Sequence, residues 1–203
     1  MITYVVVSLG EILEGDIKEE KLCEVFKKFS CQRETDLEDF LVHKAIVYEK
    51  GNIGKTFLFL DAEKLENNEI EVIAYYTIAQ GSLDISQMSN SKKRKVLGSY
   101  PGRDRLSSIP TYLIGQLGRS DAYSNDDLSG EQILKECYNS ISIAARVVGG
   151  EMVVLECREQ MFSKFYEKKG YRKFYAELSQ NNLYTLYKKI NFVEYWKRSL
   201  VTT

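Results

Sequence analysis

Tyr112-Leu113-Ile114-Gly115-Gln116-Leu117-Gly118 reads as a buried strand, and the segment it opens, as far as Tyr171, decides the fold. A polar turn follows it, Tyr123-Ser124-Asn125-Asp126-Asp127-Leu128-Ser129-Gly130. Ile133, Leu134, Cys137, Tyr138, Ile141 and Ala145 then recur at the i, i+3/i+4 spacing that gives a helix one buried face. Met152-Val153-Val154-Leu155 has the length and composition of a buried strand. A second helix carrying Phe162, Phe165 and Tyr166 is closed by Gly170. The pattern is a βαβ unit with a further helix. A helix that starts in a polar turn presents free N–H groups and the positive end of its peptide dipole there, a setting suited to an anion such as pyrophosphate.

Upstream, residues 3–9 are a Val-rich run of strand length. Leu22, Val25, Phe26 and Phe29 mark a helix over about 18–29. Thr35 and Glu38 have the spacing of a capping box ahead of Leu37, Phe40, Leu41, Ala45 and Tyr48, and Lys50-Gly51 is the expected helix end. Runs 56–60 and 71–78, joined through Glu66-Asn67-Asn68-Glu69, suit an antiparallel hairpin. Residues 81–108 show no period and carry Lys92-Lys93-Arg94-Lys95, Arg103 and Arg105. Strand candidates at 172–177 and 183–190 precede a tail containing Trp196. This order predicts an α/β protein with a mixed, partly antiparallel central sheet flanked by helices. It reads as one domain over 1–190 with a C-terminal tail over 191–203.

The chain's 203 residues are enough to bury a sizeable core, and its net charge of −1 argues against nucleic-acid binding through overall charge. A local basic patch is still open to it. Cys23, Cys31, Cys137 and Cys157 lack any C-x-x-C spacing and His43 is the single histidine, which leaves a zinc site little to work with. The expectation is no metal, and reduced thiols in a cytoplasmic protein. Tyr4-Val5-Val6-Val7-Ser8-Leu9 is too short to span a bilayer and lacks the basic lead-in of a signal peptide, so no membrane partner is expected. Gly51-Asn52-Ile53-Gly54-Lys55-Thr56 ends in G-K-T but lacks the four-residue spacer of a phosphate loop, and reads as a hairpin entrance.

From about residue 29 onward the chain resembles the GNAT superfamily of N-acetyltransferases. The most specific match is Phe165-Tyr166-Glu167-Lys168-Lys169-Gly170-Tyr171, similar to that family's F-Y-x-x-x-G-F/Y signature. Ile109 to Gly118 looks like its central strand, whose end pairs with the pantetheine arm of acetyl-CoA. That resemblance implies cofactor contacts at Leu117, Gly118 and Arg119. The polar turn takes the place of the family's pyrophosphate loop, Gln/Arg-x-x-Gly-x-Gly/Ala, with Asn125, Leu128 and Gly130 at the motif positions. A second register places Ser124 and Ser129 there instead. Asp126 and Asp127 depart from the motif, since a carboxylate repels pyrophosphate unless it points away, and Asp127 is the expected helix cap. Phe29-Ser30-Cys31 through Phe40-Leu41 resembles the entry of a GNAT branch that includes tRNA-acetylating toxins.

The resemblance implies an acetyl-CoA-dependent N-acetyltransferase acting on a primary amine, whether of a small molecule, a protein or an aminoacyl-tRNA, and leaves a homodimer open. Acyl transfer from a thioester needs a base for the amine and an acid for the departing thiolate. Tyr166 inherits the role of acid. Glu156 is the candidate base, with Glu71 and water as alternatives. The basic cluster reads as a solvated face, a contact for an RNA backbone or a grip on the CoA 3′-phosphate. The alternative function is a non-catalytic module whose pyrophosphate loop has degenerated.

Overall fold

The computed structural model describes residues 2–201, with side chains described as far as residue 197. In chain order the elements are β1 (Tyr4–Ser8), α1 (Leu9–Glu14) and α2 (Glu19–Phe26). A helix in three pieces follows: α3 (Thr35–Asp39), a π turn over Phe40–Lys44 and α4 (Ala45–Lys50). Next come β2 (Lys55–Asp61), α5 (Ala62–Glu66), β3 (Val72–Asp84), α6 (Asn90–Leu97) and a 3-10 turn over Arg103–Arg105. The second half holds β4 (Ser108–Arg119), α7 (Gly130–Val148), β5 (Met152–Cys157) and α8 (Glu159–Met161). A π turn (Phe162–Tyr166) and a 3-10 turn (Glu167–Lys169) extend α8. Then come β6 (Arg172–Lys173), β7 (Tyr184–Lys189) and α9 (Phe192–Val201).

The strands form one sheet in the order β1-β2-β3-β4-β5-β7-β6, and β4–β5 is its parallel pair. Side-chain alternation divides it into two faces. Val153, Leu155 and Cys157 of β5 lie with Ile133, Leu134, Cys137 and Ile141 of α7 in one core. On the other face Met152 and Val154 pack with Leu97 of α6, while Leu58 and Tyr75 meet Leu22, Phe26 and Leu41 from α2 and the segmented helix. The mixed α/β sheet expected from the sequence is the one formed.

Several local expectations change. The run ending at Leu9 leaves the sheet at Ser8, whose capping box with Glu11 opens α1. The hairpin connector contains α5, capped by the Asp61 carboxylate accepting from the N–H groups of Glu63 (3.0 Å) and Lys64 (3.1 Å). The aperiodic stretch 81–108 opens with the end of β3, which pairs with β4 as far as Asp84↔Ser108, and then holds α6 and the 3-10 turn. Thr35 is not a cap. The helix starts at it with Glu34 in the cap position and no side-chain cap bond, since the Glu34 carboxylate is held by Arg158 (2.9 and 2.7 Å) and Glu38 accepts from the Cys31 N–H. Strand 172–177 shrinks to Arg172–Lys173. The tail becomes α9, whose Tyr195 hydroxyl bonds to Lys135 O (3.2 Å) and Asn139 Oδ1 (3.0 Å) of α7. Met1, Thr202 and Thr203 lie outside the described residues.

Two irregularities in β4 position everything that follows. Its pairing with β3 jumps from Thr77↔Gln116 to Ile78↔Ile114, leaving Gly115 as a bulge. A Cβ there would stand 2.9 Å from Thr77 Oγ1, so the position takes glycine for lack of room. Its parallel pairing with β5 covers only Tyr112↔Val153, Leu113↔Val154 and Ile114↔Leu155. Beyond these residues β4 continues to Arg119, paired with β3, and β5 to Cys157, paired with β7, but the two no longer pair with each other, so the sheet opens as a wedge.

Ile141 is fully buried between α7 and the sheet. Ile141→Ala is expected to destabilise the protein by about 3 kcal/mol, within the roughly 2–5 kcal/mol cost of such deletions, measured by urea unfolding.

Candidate active site

The wedge has β4 residues 116–119 as one wall and the end of β5 as the other. On its outer edge the β4 wall is fixed to β3 through Tyr76↔Leu117, Tyr75↔Gly118 and Ala74↔Arg119, while its inner edge has no strand partner. Leu37 of α3 lies directly over Gly118, where any Cβ would collide with it. Arg119 ties the strand to the following turn, donating from Nε to Tyr123 O (2.9 Å) and from Nη1 to Leu128 O (2.5 Å). Its guanidinium therefore shapes the turn.

That turn folds on itself. The Asp127 carboxylate accepts from the Ser124 N–H (2.8 Å) and hydroxyl (2.7 Å), and these bonds hold it below the usual aspartate range. The expected cap at Asp127 is thus replaced. Ser129 caps α7, its Oγ accepting from the Gln132 N–H (3.2 Å) while Gln132 Oε1 accepts from the Ser129 N–H (2.8 Å). Asn125 and Asp126 are exposed, and Leu128 is fully buried, so only the backbone of Leu128 borders the turn. The N–H groups of Gly130 and Glu131 find no acceptor among the described residues. The Phe165 ring closes over this helix start, 3.5 Å from where a Gly130 Cβ would stand. Lys169 reaches Glu131 (2.5 Å) beside it.

Tyr166 lies in the π turn after β5, an insertion that re-aims a side chain within a helix. It is 7% exposed, edge-on to Phe165 (centroids 5.0 Å apart) and Tyr171 (5.4 Å). Buried Tyr75, Tyr76 and Tyr138 bond to Leu37 O (2.7 Å), Ser140 Oγ (2.7 Å) and the Tyr171 hydroxyl (2.9 Å). The Tyr166 hydroxyl has no partner among the described residues. Burial pushes its phenol well above the ordinary range, with smaller contributions from Cys157, Cys137 and Tyr138, so it holds its proton. It is placed to donate and not to act as a base.

Glu156 is exposed near the end of β5, on the sheet face opposite α7, and accepts from Thr185 Oγ1 (3.3 Å). The structure thus sets Glu156 and Tyr166 on opposite faces of one wedge. Glu71 is engaged elsewhere, with Lys64 and with the Tyr123 hydroxyl (2.5 Å). Burial works to raise its carboxyl, but these two partners outweigh it and hold it below the usual range. His43 is exposed and meets Asp39 (3.2 Å). The sequence reading missed Arg158. From just past β5 it grips Glu34, with Asp36 at 3.4 Å, and so clasps the mouth of the wedge to α3. More than a hundred residues separate these partners, and no local pattern marks them.

A mixed sheet splayed beside a bulged central strand, with a helix N-terminus and a buried tyrosine at the opening, is the N-acetyltransferase fold that the sequence resembles. The same fold is found in toxin structures. A crystal structure of a bacterial toxin is similar over 96% of this chain and 97% of its own, with 16% identity and a TM-score of 0.70. AtaT complexed with acetyl-methionyl-tRNAfMet gives 99% and 100%, 19% identity and 0.67. A tyrosine-to-phenylalanine mutant of the AtaT toxin, bound to the C-terminus of the antitoxin AtaR and acetyl-CoA, gives 95% and 97%, 15% identity and 0.66. No protein-family model and no curated protein matches the chain.

The Glu71 contribution to stability is present above its unfolded pKa, near 4.5, and is lost as pH falls through the lower folded value. Tyr123→Phe removes one of the bonds that lower it. The variant is expected to be less stable than wild type at pH 7, with the difference narrowing below about pH 4.5 in urea titrations across pH.

Proposed function

We propose that this protein is an acetyl-CoA-dependent N-acetyltransferase whose acceptor is the α-amine of an aminoacyl-tRNA. The observation that carries the reading is the partnerless Tyr166 hydroxyl beside an unpaired sheet opening. A pantetheine arm is an extended chain with amide groups, and the free inner edge of β4 at Leu117, Gly118 and Arg119 offers it strand-like hydrogen bonds. The N–H groups of Gly130 and Glu131 suit a diphosphate. Asp127, turned into Ser124, is kept from spoiling that site. When bound, acetyl-CoA supplies a thioester carbonyl for the amine to attack and a thiolate that leaves.

The chain's own residues handle position and protons. The β4 edge orients the arm, and Ser129, through its cap, sets the direction of the α7 N-terminus. Tyr166 gives its proton at the sulfur position, a role worth roughly 10²–10⁴ in rate for a positioned acid. Glu156 takes the amine proton from the opposite face. An α-amino group with a pKa near 8 is partly neutral at physiological pH, so an exposed carboxylate or water suffices. The AtaT complex with acetyl-methionyl-tRNAfMet supports this acceptor class. No helix among the described residues is long and apolar enough to cross a membrane, in keeping with an acceptor met in water.

Tyr166→Phe is expected to lower kcat about 100-fold or more while calorimetry shows acetyl-CoA affinity retained. Full activity in that variant would remove Tyr166 as the acid. A folded wild type that binds no acetyl-CoA at millimolar concentration would favour the non-catalytic module. Because burial raises the Tyr166 phenol above its ordinary 10.0, wild-type kcat is expected to show no loss from tyrosine ionisation below about pH 10 in a pH–rate profile.

A further inference from the structure

A row of polar side chains crosses the sheet on the face opposite α7: Thr56, Thr77, Gln116, Glu156 and Thr185. In β4, Ile114 and Leu117 turn to the α7 core, which sends Gln116 the other way. Gln116 pairs with Thr77 of β3, and Thr77 pairs with Thr56 of β2. Their neighbours Tyr76 and Phe57 pack toward α7, so both threonines share the Gln116 face. Across the wedge, Glu156 follows Leu155 of the last β4–β5 pair and is itself paired with Thr185. Leu58 and Tyr75 border the row on one side, Leu113 and Val154 on the other. A buried polar group without a partner is costly, so a polar stripe between two apolar cores is not there for stability.

Only the Glu156 end of the row is satisfied, by Thr185 Oγ1 (3.3 Å). Neither the Gln116 carboxamide nor the Thr77 hydroxyl has a hydrogen bond among the described residues, and the Thr56 hydroxyl is enclosed without one. Exposure falls along the row: Glu156 is exposed, Gln116 half-buried, Thr77 6% and Thr56 1% exposed. Behind Thr56 the row stops at Glu49 of α4, whose carboxylate accepts from the Thr56 N–H and the Lys55 ammonium (2.9 Å each). The row is therefore blind at that end. An α-amine reacting between Glu156 and Gln116 carries two further groups on its α-carbon. The ester end belongs to the RNA and must leave toward water, so the side chain is the group left for the blind end. About 4.8 Å separates the Gln116 and Thr77 strands, within reach of a side chain of about two or three heavy atoms. An apolar side chain would leave the carboxamide and the hydroxyl unpaired. A cationic one finds at the blind end only Glu49, already neutralised by Lys55, and an anionic one meets Glu156.

We propose that Gln116 and Thr77, with Thr56 behind them, select an acceptor amino acid whose short, neutral side chain ends in a hydroxyl or a carboxamide. The inference rests on the aminoacyl-transfer reading and names the substrate class of that same site.

The test measures acetylation of amino-acid amides, which carry the α-amine and side chain without RNA, and of tRNAs charged with the same amino acids. The polar set is serine, threonine and asparagine; the apolar set is alanine, valine and leucine. Wild type is expected to favour the polar set by at least about tenfold in kcat/KM, because an apolar side chain leaves the site's polar groups unpaired. Thr77→Val and Gln116→Leu should each lower that ratio about tenfold, while Thr77→Ser keeps it. A merely structural role would lower activity on both sets together and leave the ratio unmoved. Gln116 is half-buried, so Gln116→Leu carries the test if Thr77→Val does not fold. Equal rates on both sets, a preference for the apolar set, or a ratio unmoved in the folded variants overturns the proposal. Selective acetylation of the polar amides with no transfer to charged tRNA leaves the subsite standing and removes the tRNA acceptor. Transfer to charged tRNAs without regard to side chain keeps that acceptor and overturns the subsite. A wild type that acetylates neither amides nor tRNAs overturns both.

Discussion

The short parallel contact between β4 and β5 is the constraint on which the rest depends. Three residue pairs hold the two halves of the sheet together, and past Ile114 and Leu155 each strand must find other support. The β4 arm finds it in β3 and beneath Leu37, the β5 end in its pairing with β7 as far as Cys157↔Tyr184 and in the Arg158 grip on Glu34. An open sheet edge inside a protein leaves backbone donors and acceptors that protein does not satisfy, which is costly unless water or a ligand supplies partners. The fold keeps this one open by fixing both walls from outside.

The polar groups around the wedge divide the work by face. On the α7 side lie a capped helix start and a buried phenol, both donors, which suit the anionic and leaving portions of a thioester. On the other side Glu156 is exposed to water. Asp126 and Asp127, which make the turn unpromising in sequence, divide in the structure. One is bound into Ser124 and the other points to solvent. Carboxylates near an anion site are tolerable where geometry turns them aside.

The βαβ unit was legible because α7 has a wide apolar stripe and the strands beside it are continuous apolar runs. Phe165 to Tyr171 was legible because an aromatic pair and a glycine at φ +82° sit at fixed spacing. Helices α1, α5 and α6 were not, because each is short or strongly charged and owes its existence to a cap and a few tertiary anchors such as Lys93 and Leu97. The exchange of Asp127 for Ser129 as cap turned on which of two polar residues, on either side of buried Leu128, reaches the α7 backbone, which sequence leaves undetermined. The clasp at Arg158 and the splay of the sheet depend on register between distant segments. Only folding brings those together.

The bulge at Gly115 sets the phase of the strand as an inserted letter sets a reading frame. Ile114 faces α7, and in an unbroken strand Gln116 would be next to do so. With the extra residue it is Leu117 that packs into that core and Gly118 that passes beneath Leu37. Insertion of a single residue between Gly115 and Gln116 would shift the strand end by one, sending the Gln116 side chain into the α7 core and Leu117 beneath α3. The inner edge offered to a ligand would change its order of donors and acceptors at the same stroke. Length in this segment is therefore held more tightly than the identity of any one residue in it.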